Sequence, residues 1–219
     1  DLRTSRGLGD VYKRQKESMA INNSISKYDW QFLATGFFLI SVYIFTDLIG
    51  VIDKEYFYFV PRLISDQPHR IFTSILIHAD LNHLLSNLGG IIITRYFLMK
   101  LGIESRFFYL KFIFICSFIN FFIIWVYEKI LSYFLNFYPK YAALGFSGII
   151  YALFGFLLLT SFYGKKYFLG KKIGFKSNYE VQKMSKTICF IGLIFSFLPG
   201  VSLLGHLSGF IAGCFLFLI

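Results

Sequence analysis

Long apolar runs alternate along the chain with short segments that hold most of its charges. A helix crossing a bilayer needs about 20 mostly apolar residues. Six runs approach that length: about Trp30–Ile52, Ile75–Leu98, Phe107–Tyr127, Ala142–Tyr163, Thr187–Leu198 and Val201 to the end. The fifth is short and is parted from the sixth by Pro199-Gly200, a turn pair. The pattern predicts an all-α membrane protein, a bundle of six transmembrane helices with no separate soluble domain.

Composition supports that class. Hydrophobic residues make up 56% and charged residues 16% of the chain, against about 45–50% and about 25% in soluble domains. One water-soluble core could not hide so many Phe, Ile and Leu side chains, whereas lipid solvates them. The net charge of +10 would suit nucleic acid if the cations formed one face. They lie instead between the apolar runs, near the N-terminus and from Lys165 to Lys186, so nucleic acid is not an expected partner and the lipid bilayer is.

The cations also predict orientation, because Lys and Arg collect in cytoplasmic loops. Lys165, Lys166, Lys171, Lys172, Lys176, Lys183 and Lys186 crowd the segment between runs four and five against a lone Glu180. Lys27, Arg95, Lys100 and Arg106 fall on the same side, which puts the N-terminus in the cytoplasm of what is expected to be a bacterial plasma (inner) membrane. The first outer loop, about Asp53 to Arg70, holds Tyr56, Phe57, Tyr58 and Phe59 and is punctuated by Pro61 and Pro68. A second aromatic outer loop spans about Tyr133 to Tyr141.

Residues 1–18 read as a non-native or disordered leader, since Asp10 to Gln15 match what a sequencing-library transposon end encodes and Met19 is a plausible start. The membrane domain is expected over 28–219. Its last run stops at Ile219 without a flanking Lys or Arg, so helix six is expected to continue.

Polar residues inside membrane segments are functional candidates by default. Four stand out: His83 and Asn87 in run two, Ser147 in run four and His206 in run six. With the N-terminus inside, these three runs all enter from the outer face. At a rise of about 1.5 Å per residue, Ser147 and His206 each lie on the order of 6–8 Å below the starts of their runs.

Ser147 sits between Gly145-Phe146 and Gly148, where glycines admit close backbone or substrate approach. Alone, that segment would equally suit helix packing. Gly205, Gly209 and Gly213 recur every four residues beside His206, a stripe able to dock one helix closely on another. A serine hydroxyl is a poor nucleophile until a base takes its proton, and histidine is the usual base. Runs four and six hold no carboxylate to orient the imidazole, so the pair would be a dyad. Tyr151, four residues after Ser147, shares its helix face and is a candidate to stack on His206.

His83 and Asn87 are also four apart. Their side-chain N–H groups, with the backbone N–H of Ser147, would supply the preorganised donors that an oxyanion needs. The alternative is that they join helices by hydrogen bonds worth about 0.6–2 kcal/mol each. His78, five residues before His83, lies on another face and is expected to anchor a loop. His78, Asp80 and His83 lack a further ligand at helical spacing, so no metal is expected. Cys116, Cys189 and Cys214 lie within apolar runs without paired spacing and read as small buried residues. No cofactor is expected.

Together these segments resemble the rhomboid family. His78-Ala79-Asp80-Leu81-Asn82-His83-Leu84-Leu85-Ser86-Asn87 is similar to its helix-two signature, Gly145-Phe146-Ser147-Gly148-Ile149-Ile150-Tyr151-Ala152-Leu153 to its nucleophile segment, and His206 with Gly209 and Gly213 to its helix-six signature. The three occur in family order and cover most of the chain from about Arg70 onward. The resemblance implies a rhomboid-like bundle with Ser147 as nucleophile, His206 as general base, and His83, Asn87, Ser147 and Gly145 at the oxyanion hole. It also implies a water-accessible cavity at the outer face and, as partners, transmembrane protein substrates cut near their outer ends. Gly205 stands where the family commonly has Ala, and His69-Arg70 where it commonly has Trp-Arg. A rival function is a non-catalytic adaptor that binds client helices. A transporter fits less well, because no ion-coupling carboxylate lies within a run, the acidic residues falling at run ends and in loops.

Overall fold

The computed structural model describes residues 29–100, 107–136, 142–163, 166–168, 171–173, 179–198 and 201–218. The leader over 1–18, Lys27, Arg106, Lys165, Lys176 and the Pro199-Gly200 pair lie outside these residues. Among the described residues, six helices of 14 residues or more follow the six apolar runs: α1 (Trp30–Tyr43), α2 (Leu81–Lys100), α3 (Phe108–Leu135), α4 (Ser147–Tyr163), α5 (Tyr179–Phe195) and α6 (Leu203–Leu218). A short antiparallel pair, β1 (Lys166–Phe168) and β2 (Lys171–Ile173), lies between α4 and α5. By length and apolar composition alone, two helical segments among the described residues can cross a membrane: Trp30–Leu48, where a π-helical turn extends α1, and Phe108–Leu135. Ser147–Tyr163 and Leu203–Leu218 are apolar but shorter.

Several helix ends differ from those expected, each for a local reason. Run two does not form one helix from Ile75. A helical turn at Arg70–Thr73 and a tighter one at Ser74–Leu76 come first, and α2 starts only at Leu81. Asp80 caps it there, its Oδ1 accepting from the His83 N–H at 2.9 Å. Helix α3 continues past Tyr127, because Glu128 and Lys129 interrupt apolarity without disfavouring helix. It ends at Asn136, which adopts the left-handed conformation common at helix C-termini (φ 48°). At 28 residues its length is about 42 Å. Glu128 is therefore buried within a helix, contrary to the expectation that acidic residues fall only at run ends and in loops. Helix α4 starts at Ser147, not Ala142, since Ala143 pairs with Phe59 as a bridge, N–H to O at 2.9 Å in both directions. Helix α5 begins at Tyr179 and takes in Lys183 and Lys186, which the apolar pattern places in the segment before it.

The bundle is built around α4. A helix that is apolar all round must be buried, and Gly148 through Leu157 are all buried. Its closest neighbour is α6. A Cβ on Gly209 would stand 2.2 Å from the Gly148 carbonyl oxygen, and one on Gly213 only 1.7 Å from that of Ala152. No side chain fits in either place, so the backbones themselves touch.

Polar ties fix the two ends of the bundle. At one end Arg95 of α2 donates to Asp29 at 2.9 Å, and Gln31 of α1 accepts from the Tyr109 N–H of α3 at 3.1 Å. At the other end the segment from Asp53 to Arg70 folds inward. Arg70 is buried, donating to the carbonyls of Glu55 at 2.9 Å and Tyr58 at 2.7 Å and to the Gln67 side chain at 2.5 Å. Phe59 stacks on Phe121 with ring centroids 4.3 Å apart. The expected aromatic loop is thus packed against α3, with Arg70 holding its turns together.

Gly213→Val is expected to destabilise the protein in detergent by about 3 kcal/mol or more, because the new side chain would displace a backbone. Gly89→Ala places its methyl where nothing lies within 4 Å and is expected to be neutral or to stabilise by up to about 1 kcal/mol. Thermal unfolding of both variants in the same detergent checks the contrast.

Candidate active site

The site forms where α2, α4 and α6 begin. Its first wall comes from α2. The Asp80 cap sets the opening turn, so that His83 and Asn87 project from one face toward the backbone that leads into α4. That backbone is strained at Gly145, whose φ of +103° suits glycine. Its N–H donates to the Ser74 carbonyl at 2.9 Å. A Cβ there would lie 2.5 Å from both Cε1 and Nε2 of His83 and 3.6 Å from Nδ2 of Asn87. Two residues before Ser147, therefore, an imidazole edge and a carboxamide crowd bare backbone.

The proton on His83 follows from its contacts. The Ala79 N–H donates to Nδ1 at 3.4 Å, so Nδ1 is the acceptor and Nε2 carries the hydrogen. The donor edge is the one beside Gly145. Lys54 holds the peptides on either side of Ala79, donating to the carbonyls of Ala79 at 3.1 Å and His78 at 3.5 Å while pairing with Asp47 at 2.5 Å. Asn87 Nδ2 is buried and has no hydrogen-bond partner among the described residues. An orphaned buried donor is unfavourable and calls for an explanation, and here it lies beside the crowded turn.

The second wall comes from α6. His206 is buried and lies flat on Tyr151, ring centroids 3.9 Å apart and planes 15° from parallel. Tyr151 OH donates to the Gly192 carbonyl of α5. Ser147 is the first residue of α4 and His206 the fourth of α6, so the expected equal depth of 6–8 Å below the two helix starts does not hold. Register between α4 and α6 relates them instead. Gly148 and Gly209 meet, as do Ala152 and Gly213, and Tyr151 faces His206 between these contacts. Gly205 has a different role from the other two glycines, since a Cβ there would meet the side chain of its own neighbour Ser202 at 2.9 Å. Ser147 is partly exposed, and among the described residues its hydroxyl makes no hydrogen bond to His206.

Three polar residues at the site carried no signal in the sequence beyond being polar in an apolar run. Ser196, just past α5, lies 3.0 Å from Nδ1 of His206. Asn120 of α3 accepts from Ser208 of α6 at 2.5 Å, and a Cβ on Gly148 would lie 2.6 Å from Asn120 Nδ2. Asn120 thus ties α3 to α6 beside Gly148. His78 is buried before α2, edge-on to His83 with ring centroids 5.1 Å apart. No group of three His, Cys, Asp or Glu able to hold a metal occurs among the described residues.

Chemically, the arrangement offers a hydroxyl at the N-terminus of a helix, where the first backbone N–H groups have no intrahelical partner. Two further N–H donors lie beside Gly145 on the α2 side, and an imidazole lies on Tyr151 on the α6 side. The sequence model of the Rhomboid domain family matches residues 65–219, the stretch that contains every one of these groups except Asp47 and Lys54. No curated protein matches the chain.

Burial, with His83 as a lesser cause, lowers the His78 pKa from 6.5 to about 4, while Asp47 and Asp80 act in the opposite sense. Unfolded chain therefore binds a proton at His78 between these values that the folded protein does not. Stability contributed by neutral His78 is complete above pH 6.5 and is lost as pH falls toward 4. The melting temperature in detergent is expected to fall across this window, and His78→Gln to flatten the slope.

Proposed function

Since the chain belongs to the rhomboid family of integral membrane proteins, we propose that it is an intramembrane serine endopeptidase acting through a Ser147–His206 dyad. The observation that carries this is the crowding of His83 and the unpaired Asn87 amide onto Gly145, two residues before Ser147. A buried donor left unsatisfied in a folded protein, with the edge of an imidazole beside it, suits a negative charge that exists only during reaction.

In the proposed reaction Ser147 Oγ attacks the carbonyl carbon of the scissile peptide as its proton passes to Nε2 of His206. The carbonyl oxygen takes up the electron pair and accepts from His83 Nε2–H, Asn87 Nδ2–H and the Ser147 N–H, at the turn that Gly145 makes. The protonated His206 then gives its proton to the leaving nitrogen, the C–N bond breaks, and an ester to Ser147 remains. Water, losing a proton to His206, attacks that ester; the proton returns to Ser147 as the carboxylic acid product leaves. Tyr151 orients the imidazole through its stacked ring, and Gly148, Gly209 and Gly213 hold α4 and α6 in register.

We assign all six helices as spans, with the N-terminus cytoplasmic and the site near the outer face of a bacterial inner membrane. The lysines between α4 and α5 support that orientation. Substrates would be single transmembrane helices with small or helix-breaking residues near their outer ends, because an intact helix hides its carbonyls and must unwind before attack.

A second reading, a non-catalytic adaptor for client helices, draws on one observation: the Ser147 hydroxyl is not hydrogen-bonded to His206. Catalytic hydrogen bonds are often long or misaligned before substrate binds, which favours the protease. Ser147→Ala and His206→Ala are expected to abolish both fluorophosphonate labelling and cleavage of a co-expressed single-span protein. His83→Ala or Asn87→Ala is expected to lower kcat by about 10²–10³. A folded wild-type chain that neither labels at Ser147 nor cleaves would establish the adaptor.

A further inference from the structure

We infer that Ser196 is the positioning residue that sets the protonation of His206, doing with a neutral hydroxyl what a carboxylate does in a three-residue catalytic system. The inference rests on the protease reading, and concerns which nitrogen of His206 is free to act as base.

Ser196 and His206 are 2% and 8% exposed, so water does not compete for their contact. Ser196 Oγ lies 3.0 Å from His206 Nδ1 and donates to the Gly192 carbonyl at 3.1 Å. A hydroxyl has one hydrogen. If that hydrogen is on the Gly192 carbonyl, the Ser196 oxygen is an acceptor toward Nδ1, and Nδ1 must bring the proton. Nε2 is then bare, the form a base needs. If instead Ser196 donated to Nδ1, the proton would sit on Nε2 and His206 could not accept from Ser147.

The surroundings favour the first arrangement. Ser196 is four residues after Gly192, the spacing at which a serine hydroxyl ordinarily bonds back to a helix carbonyl. Tyr151 OH reaches that same carbonyl, so α5 fixes both the ring that His206 lies on and the hydroxyl at its Nδ1. Gly192 admits this packing: a Cβ there would be 3.1 Å from the Phe154 ring and 3.6 Å from Tyr151 OH. No carboxylate from any element contacts Nδ1 among the described residues. When His206 takes the Ser147 proton on Nε2, the Nδ1–H bond to Ser196 stays in place and nothing reorganises, the condition for stabilising a charge that forms during reaction.

Two measurements test this. Kinetics on a transmembrane substrate should show kcat lowered about ten-fold in Ser196→Ala with KM little changed, and Ser196→Thr, which keeps the hydroxyl, should restore most of the loss. Ring-nitrogen NMR of the wild-type protein in nanodiscs, with the His206 signals assigned by His206→Gln, should show the proton on Nδ1 and Nε2 bare. The inference is overturned if Ser196→Ala turns over at the wild-type rate, or if the wild-type spectrum shows Nε2 protonated. Should Ser196→Ala fail to fold, the wild-type spectrum decides alone. A wild-type chain with no Ser147-dependent activity would defeat the protease reading, and the ring spectrum would still report the state of His206 separately.

Discussion

Everything at the site depends on two helix backbones being in contact. The carbonyl oxygens of Gly148 and Ala152 lie where any side chain at Gly209 and Gly213 would have to be, which fixes α6 against α4 both in distance and in axial register. A slip of α6 that replaced either glycine would drive a side chain, if only the Cβ of Ser208 or Ala212, into the same carbonyls. With register fixed, Tyr151 has nowhere to face but the His206 ring, and Ser147 comes one turn above it. Side chains in lipid gain little from the hydrophobic effect on association, so such close packing is how membrane helices hold a geometry.

Around that seam, two histidines differ in what touches Nδ1. For His83 the neighbour is a backbone N–H, from Ala79, so the hydrogen must reside on Nε2 and the ring is a donor. For His206 the neighbour is the hydroxyl of Ser196, whose own hydrogen has a carbonyl to bond; on the proposed reading this leaves Nε2 as acceptor. In the proposed mechanism the same side chain serves as a hydrogen-bond donor on one wall and as a base on the other. The remote ties serve these assignments. Asp47 and Lys54 hold the peptides that present the Ala79 N–H, and Arg70 braces the chain between them and α2.

Much of this was legible from residue order. The six apolar runs became six helices, and the residues singled out as polar within them, His83, Asn87, Ser147 and His206, are the ones gathered at one end of the bundle. Hydropathy could not find the helix starts, because these are decided by hydrogen bonds: the Asp80 side chain delays α2, and the Phe59–Ala143 bridge delays α4. Ser147 and His206 therefore lie at different distances from their helix starts, although the register between α4 and α6 does relate them. Ser196 and Asn120 were illegible because a single serine or asparagine in an apolar run looks alike whether it bonds its own helix or reaches across to another. Only the fold shows which neighbour it meets.

The central claim is that Gly145, His83 and Asn87 form a pocket for an oxyanion beside a nucleophilic Ser147. A crystal structure of the protein after reaction with a fluorophosphonate tests it most directly. The account expects phosphorus bonded to Ser147 Oγ, with the phosphoryl oxygen within about 3 Å of His83 Nε2 and Asn87 Nδ2. An adduct on Ser147 whose phosphoryl oxygen points away from both, or an adduct on another residue, would contradict it.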